Sequence, residues 1–83
     1  MKIYIVIAGE FKYEYNYCVT TSMHEAVDIA LEMFQKQLKE YDSNRCFNRI
    51  EVWQRGYLLK NIWDSYLKED STKEEMYELI AKS

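Results

Sequence analysis

Residues 2–8, KIYIVIA, form a nearly unbroken run of apolar residues, four of which are β-branched. A run of this kind is typical of a strand buried on both faces, because a half-exposed strand alternates apolar with polar residues. We therefore interpret the first residues as a core strand rather than a signal peptide. The run predicts a strand in the middle of a sheet.

A second strand is predicted immediately afterwards, over FKYEYNYCV at 11–19. Period-2 alternation is typical of a half-buried strand, and the turn signal Ala8-Gly9-Glu10 predicts that the two strands form an antiparallel hairpin. The tyrosine-bearing face has two interpretations: it supports a helix as part of the core, or it is a recognition surface. That face carries Phe11, Tyr13, Tyr15, Tyr17 and Val19.

A long amphipathic helix is predicted from Ser22, because Ser22 and Glu25 have the spacing of a capping box. Apolar residues then recur every three or four positions for about five turns, and charged residues occupy the opposite side. This pattern places the helix on one face of a sheet. The apolar stripe is Met23, Ala26, Val27, Ala30, Leu31, Phe34, Leu38 and Tyr41.

A second hairpin is predicted around Arg55-Gly56. A two-residue loop would pair Val52 with Leu59, Trp53 with Leu58 and Glu51 with Lys60, which places an opposite-charge pair on one face and an aliphatic pair on the other. Because arginine is unfavourable at the first position of a type I′ turn, a three-residue loop with Gly56 in the left-handed region is the alternative.

A short C-terminal helix is predicted from a second capping box, Ser71 to Glu74, with Met76, Tyr77 and Ile80 on one side. Residues 63–70 are compatible with strand extension or a short helical turn. The predicted fold is α+β, with the order β-β-α-β-β-α in a single domain over 1–83. We expect a four-stranded, mainly antiparallel sheet with the long helix on one face, and the short helix there too or in a dimer contact.

Composition excludes several classes of protein. No apolar run approaches the roughly 18 residues that a membrane span needs. Cys18 and Cys46 are 28 positions apart and form no disulfide framework, which favours a reducing cytoplasm. Eight tyrosines, three phenylalanines and two tryptophans cannot all be buried in 83 residues, so some aromatic side chains are expected on a partner surface.

The charge pattern identifies a basic hairpin in an acidic protein of net charge −3. An anion site is one interpretation, since arginine binds phosphate or carboxylate in a bidentate manner and Trp53 or Tyr57 would stack on a base. Ordinary surface charges that pair with the acidic helices are the other. A pI near 5.1 argues against extended nucleic acid as a partner. The basic residues are Arg45, Arg49, Arg55 and Lys60.

Catalytic and metal sites are not expected. Cys18 and His24 are the pair most similar to a nucleophile and base, but no third orienting residue is in register with them. One histidine and two distant cysteines do not make a metal site, and no cofactor is expected. The acidic residues near the C-terminus are interpreted as a solvated face or, alternatively, as a mimic of nucleic-acid phosphates: Glu69, Asp70, Glu74, Glu75 and Glu78.

The start MKIYIVI and the EVW-x-x-G segment Glu51-Val52-Trp53-Gln54-Arg55-Gly56 resemble small accessory proteins of phages that infect Gram-positive bacteria. The resemblance implies a protein made in the host cytoplasm that binds and disables a host factor, often an immune component such as a CRISPR nuclease. It also implies a second possibility, an oligomer that sequesters nucleotide immune signals. It carries over no individual residue.

Three hypotheses follow. The preferred one is a non-enzymatic binding protein that occludes a host defence protein through Tyr13, Tyr15, Trp53, Arg55 and Tyr57. The second is an oligomeric sponge that presents the basic hairpin, from Arg45 to Lys60, to a phosphorylated nucleotide. The third is a structural protein whose exposed sheet edge is completed by another copy, as in a homodimer.

Overall fold

The predicted order of elements is confirmed in the computed structural model, which describes residues 1–10, 13–39 and 46–82. The strands are β1 (Lys2–Glu10), β2 (Tyr13–Thr20), β3 (Phe47–Gln54) and β4 (Tyr57–Trp63). The helices are α1 (Met23–Lys39) and α2 (Lys73–Ala81), and a 3₁₀ helix spans Asp64–Tyr66. The fold class is α+β, as the pattern predicts.

All neighbouring strands are antiparallel, and they form one sheet in the order β2-β1-β3-β4. β1 is an inner strand, as its apolar sequence predicts, while β2 and β4 are the edges. The turn expected at Ala8-Gly9-Glu10 is wrong, because β1 continues through Glu10 and Gly9 pairs with Glu14. Gly9 has φ 142°, which a side-chain-bearing residue rarely adopts.

One face of the sheet holds the core. Alternate residues of the inner strands, Val6, Ile50 and Val52, lie with Ala26, Val27 and Ala30 of α1 in one buried cluster. Met76 and Ile80 of α2 belong to the same cluster, so both helices cover the same face. Leu38, expected in the stripe of α1, is exposed, whereas Met33 is buried. Tyr41 lies outside the described residues.

The second hairpin has the predicted two-residue turn but not the predicted register. Arg55 and Gly56 both have positive φ, 54° and 80°, and Trp53 pairs with Leu58 as expected. A β-bulge then follows, so that Val52 pairs with Lys60 and Glu51 with Asn61. The extra residue brings Ile62 opposite Ile50 in the core, where the unbulged register would have placed Asn61.

The helix starts differ from prediction in hydrogen-bonding detail. Ser22 Oγ accepts from the Glu25 amide at 3.1 Å, which is half of the predicted capping box. The predicted cap at Ser71 is wrong, because Ser71 Oγ accepts from the Lys68 amide and closes the preceding turn. Thr72 caps α2 instead, accepting from the Glu75 amide at 3.3 Å. Residues 63–70 prove to be a strand end, a 3₁₀ turn and the buried Leu67.

Candidate functional site

The sheet face opposite α1 and α2 is left uncovered by the described helices, and we call it the open face. Paired residues of an antiparallel sheet share a face, so the register gives its rows. One row is Asn16, Ile7, Arg49 and Trp63; the next is Val19, Ile5, Glu51 and Asn61; the last is Ile3, Trp53 and Leu58. Glu14, opposite Gly9, lies beyond the first row.

The centre of the open face is built by β3. Arg49, Glu51 and Trp53 are two residues apart, and a strand directs such residues to the same side. The intervening Ile50 and Val52 are buried in the core, which fixes the strand's orientation. A one-residue slip would expose these two side chains and bury three polar ones, so the core dictates which residues the open face presents.

Arg49 is the hub of an ionic network across this face. It forms salt bridges with Glu14 of β2 and, at 3.2 Å, with Glu51. Glu51 also accepts a hydrogen bond of 3.0 Å from Trp53 Nε1, and the Arg49 guanidinium lies 5.0 Å from the Trp63 ring centroid, in cation–π range. The side chains of Arg49 and Glu51 are only 16% and 15% exposed. The guanidinium is thus already neutralised.

The Glu14 carboxylate is held in its charged form. A 2.9 Å hydrogen bond from Asn48 Nδ2 lowers the pKa of Glu14, the Arg49 guanidinium lowers it further, and partial desolvation opposes both. Glu14 therefore carries its charge at neutral pH and ties the edge strand β2 to β3 across β1.

Stability should fall in acid through this carboxylate. Because the folded pKa of Glu14 lies below its ordinary 4.5, its contribution is complete above pH 4.5 and is lost as the pH falls through the folded value. Glu14→Gln should remove that part of the acid dependence. Urea unfolding of both proteins from neutral pH to below 4.5 measures it, and identical pH profiles would contradict the prediction.

Apolar side chains flank the network and give the open face its second property. Ile3, Leu58 and Val19 are exposed, while Ile7, between Asn16 and Arg49, is 5% exposed. Exposed apolar groups around ion-paired side chains are typical of protein interfaces, because the apolar groups gain from burial and the paired charges lose less than isolated ones would.

A concavity of about 590 Å³ lies at the end of the open face. The Trp63 ring, with Arg49 stacked against it, forms one wall, and two carboxylates, Glu14 and Asp64, line the concavity. Its size suits a side chain of a protein partner as well as a small molecule. The remaining lining residues are Gly9, Cys46 and Asn48.

The predicted basic residues do not converge. Arg49 is paired on the open face, Arg55 lies six residues further along at the turn, about 20 Å away, and Lys60 pairs with Val52 on the helix-covered side. Arg45 lies outside the described residues. Within the described residues, the hairpin therefore presents no joint anion-binding cluster.

The predicted aromatic residues fall into separate places. Trp53 is on the open face, whereas Tyr13 and Tyr15 are on the β2 edge and Tyr57 on the β4 edge. The interpretation of the tyrosine stripe as core is wrong. Exposed fractions are 76% for Tyr13, 44% for Tyr15, 41% for Tyr17 and 60% for Val19. A β-bulge at Tyr17 breaks the alternation, and Phe11 lies outside the described residues.

Cys18 and His24 are not arranged as a nucleophile and base. Burial raises the pKa of the Cys18 thiol, and the Glu25 carboxylate, 3.9 Å from the sulfur, raises it further. His24 Nδ1 lies 2.8 Å from the Tyr77 hydroxyl, and the two rings pack edge to face. His24 therefore connects α1 to α2.

Sequence reasoning missed Glu14, Glu51 and Trp63 as members of the site. The spacing Arg49-x-Glu51-x-Trp53 was an available signal, since it predicts one polar face on a strand. Nothing in the sequence indicates that Glu14 and Trp63 meet Arg49, because that depends on strand order and on bulges.

Comparisons with protein-family models, curated proteins and solved structures found no match to this chain. In the described parts of the chain, no group of three or more His, Cys, Asp or Glu side chains is placed to hold a metal ion. No described helix is both long and apolar enough to span a membrane. The geometry of the open face is therefore the basis for assigning a function.

Proposed function

We propose that this protein is a non-enzymatic inhibitor that binds a partner protein through its open face and occludes the partner's working surface. The observation that carries the proposal is the ionic network at the centre of an uncovered sheet face whose rim includes the exposed apolar residues Ile3, Leu58 and Val19. Each charged side chain of the network has an ionic partner within the chain, and with two carboxylates on one guanidinium the network keeps a net charge of −1 that favours a partner with a cationic group there.

The partner that we propose is a host defence protein such as a CRISPR effector. This part of the proposal depends on the resemblance of the MKIYIVI start and the Glu51–Gly56 segment to phage accessory proteins. The dispersed basic residues Arg49, Arg55 and Lys60 favour protein occlusion over the sequestration of a phosphorylated nucleotide, which needs convergent positive charge.

Leu58 provides a sharp test of the open face. Leu58→Lys puts a charge into the apolar rim and should weaken partner binding at least tenfold, because the charge is desolvated on binding. Leu38→Lys is the matched control: both leucines are 43% exposed, but Leu38 is on α1. The measurement is quantitative recovery of the partner by each tagged protein from lysate of a Gram-positive host. Equal recovery by both variants would contradict the use of the open face.

A separate experiment tests the class of partner. The protein is expressed in Gram-positive cells with CRISPR immunity, and plaque formation by a targeted phage is counted. Wild type and Leu38→Lys should restore plaques, whereas Leu58→Lys should not. Plaque numbers that stay unchanged with the wild-type protein would exclude a CRISPR effector as the partner. They would not affect the conclusion of the recovery experiment about the open face.

A further inference from the structure

The edge strand β2 is a second surface, distinct from the open face. β2 has one neighbour, β1, so alternate residues along its eight positions direct backbone N–H and C=O groups away from the sheet. Proteins usually protect such an edge with lysine, proline, an inward charge or a β-bulge. Residues 13–20 contain no lysine, arginine or proline, and the β-bulge at Tyr17 leaves two regular parts of the edge, 13–16 and 18–20.

The one charge on β2 does not protect its edge. The Glu14 side chain lies over the open face, where its carboxylate accepts a hydrogen bond from Asn48 and forms a salt bridge with Arg49. Its charge is therefore paired within the chain and does not repel a second strand. The other large side chains of the strand are tyrosines and a valine with exposed fractions between 41% and 76%. Tyr15 and Tyr17 already lie together, with ring centroids 6.5 Å apart. By contrast, the other edge, β4, carries Lys60.

We propose that β2 pairs with β2 of a second copy of this chain, antiparallel and about a two-fold axis, to form one continuous eight-stranded sheet. Two copies of the same strand pair in this manner through an isologous interface. In such an interface, if residue i of one copy contacts residue j of the other, then residue j of the first copy contacts residue i of the second. A two-fold axis normal to the sheet keeps both pairs of helices on one side. It also leaves both open faces exposed together on the other side.

Charge complementarity on α1 favours a second copy as the occupant. Glu25, in the first turn of α1, contacts Cys18 of β2. Glu32, Lys36 and Lys39 follow at helical spacing on the same stripe and are exposed. The stripe is thus acidic in its first half and basic in its second.

The two-fold axis makes the two copies of α1 antiparallel. The acidic half of each helix then lies opposite the basic half of the other. α1 packs on β1, β2 and β3, and the two β1 strands would be three strand spacings apart, about 14 Å. Glutamate and lysine side chains span the gap between helices at that distance. This arrangement is attractive although each chain carries a net charge of −3.

Sedimentation velocity over a range of protein concentrations tests the proposal. The wild type should show a species of twice the 10.1 kDa chain mass at about 100 μM, and dissociation should increase with salt. Val19→Lys should weaken association at least tenfold, since position 19 is exposed on β2. Leu59→Lys, exposed on β4, is the matched control and should associate like the wild type. Circular dichroism checks that each variant is folded.

A charge-reversal pair tests the geometry specifically. Lys36→Glu should weaken association and the double change Glu32→Lys with Lys36→Glu should restore it, because the exchange again places opposite charges at positions 32 and 36 of the facing helices. A wild type that stays monomeric to about 1 mM overturns the proposal. So does loss of association in Leu59→Lys but not in Val19→Lys, or a double variant that associates no better than Lys36→Glu.

Discussion

Gly9→Ala should destabilise the protein by about 3 kcal/mol, a large part of the roughly 4–12 kcal/mol expected for a chain of this length. An added Cβ at Gly9 would lie 1.9 Å from the carbonyl oxygen of Tyr13. The obstacle is backbone, which cannot rotate away as a flexible side chain would. The φ of 142° adds strain for any residue with a side chain.

Gly56→Ala is the matched control for this prediction. Gly56 also has a positive φ, 80°, but among the described residues no heavy atom beyond its chain neighbours lies within 4 Å of an added Cβ. Its substitution should cost about 1 kcal/mol, the penalty for the left-handed region alone. Urea unfolding of both variants measures the difference. A Gly9→Ala variant as stable as Gly56→Ala would show that β1 and β2 do not approach each other so closely.

Arg49→Met should destabilise the protein by about 2 kcal/mol, because it leaves the Glu51 carboxylate without its cation at a site only 15% exposed. The figure lies below that for a fully buried pair, since water still reaches the site. Trp63 also loses its cation–π partner, which lies 5.0 Å away. Glu14 keeps its hydrogen bond from Asn48. Urea unfolding, followed by tryptophan fluorescence, measures the loss.

The double variant Arg49→Met with Glu51→Gln isolates the cause. It removes the orphaned charge and retains an amide oxygen that can accept from Trp53 Nε1. We expect its free energy of unfolding to be about 1 kcal/mol higher than that of Arg49→Met. The reason is that an unpaired, partly buried carboxylate destabilises the fold more than a neutral amide does at the same position. A double variant less stable than the single one would mean that Glu51 stabilises the sheet independently of Arg49.

The two proposed surfaces use different parts of one sheet. Partner binding uses the open face around Leu58 and Trp53, and self-association uses the β2 edge; Val19 adjoins both, because its side chain lies on the open face of the edge strand. Leu58→Lys should therefore leave the dimer intact. A two-fold dimer would present two open faces on one side, which raises the effective concentration for a partner with repeated sites.

The identity and order of the elements could be predicted from local patterns. Residues 2–8 are apolar enough to require cover on both sides, and the stripe from Met23 to Phe34 has the period of a helix on a sheet. Such patterns depend only on the chain's own periodicity. For the same reason the sequence predicted the two-residue turn at Arg55-Gly56 as one of two alternatives.

Register and contacts between strands could not be predicted in the same way. The bulges near Tyr17 and Leu59 each shift a strand by one residue, which exchanges the faces of the residues beyond them. The energy that selects the bulge near Leu59 comes from packing Ile62 against Ile50, a contact between strands rather than within one. The predicted pairings of Val52 and Glu51 failed for this reason.

Local patterns were therefore enough to predict the α+β order, the inner position of β1, and an excess of aromatic residues too large for the core. The packing of the strands pairs Arg49 with Glu14 and Glu51 rather than grouping it with Arg55 and Lys60. It also decided that the tyrosines lie at an exposed edge. Charge partners and exposed edges depend on strand order and bulges, which are set by the packing of the whole core.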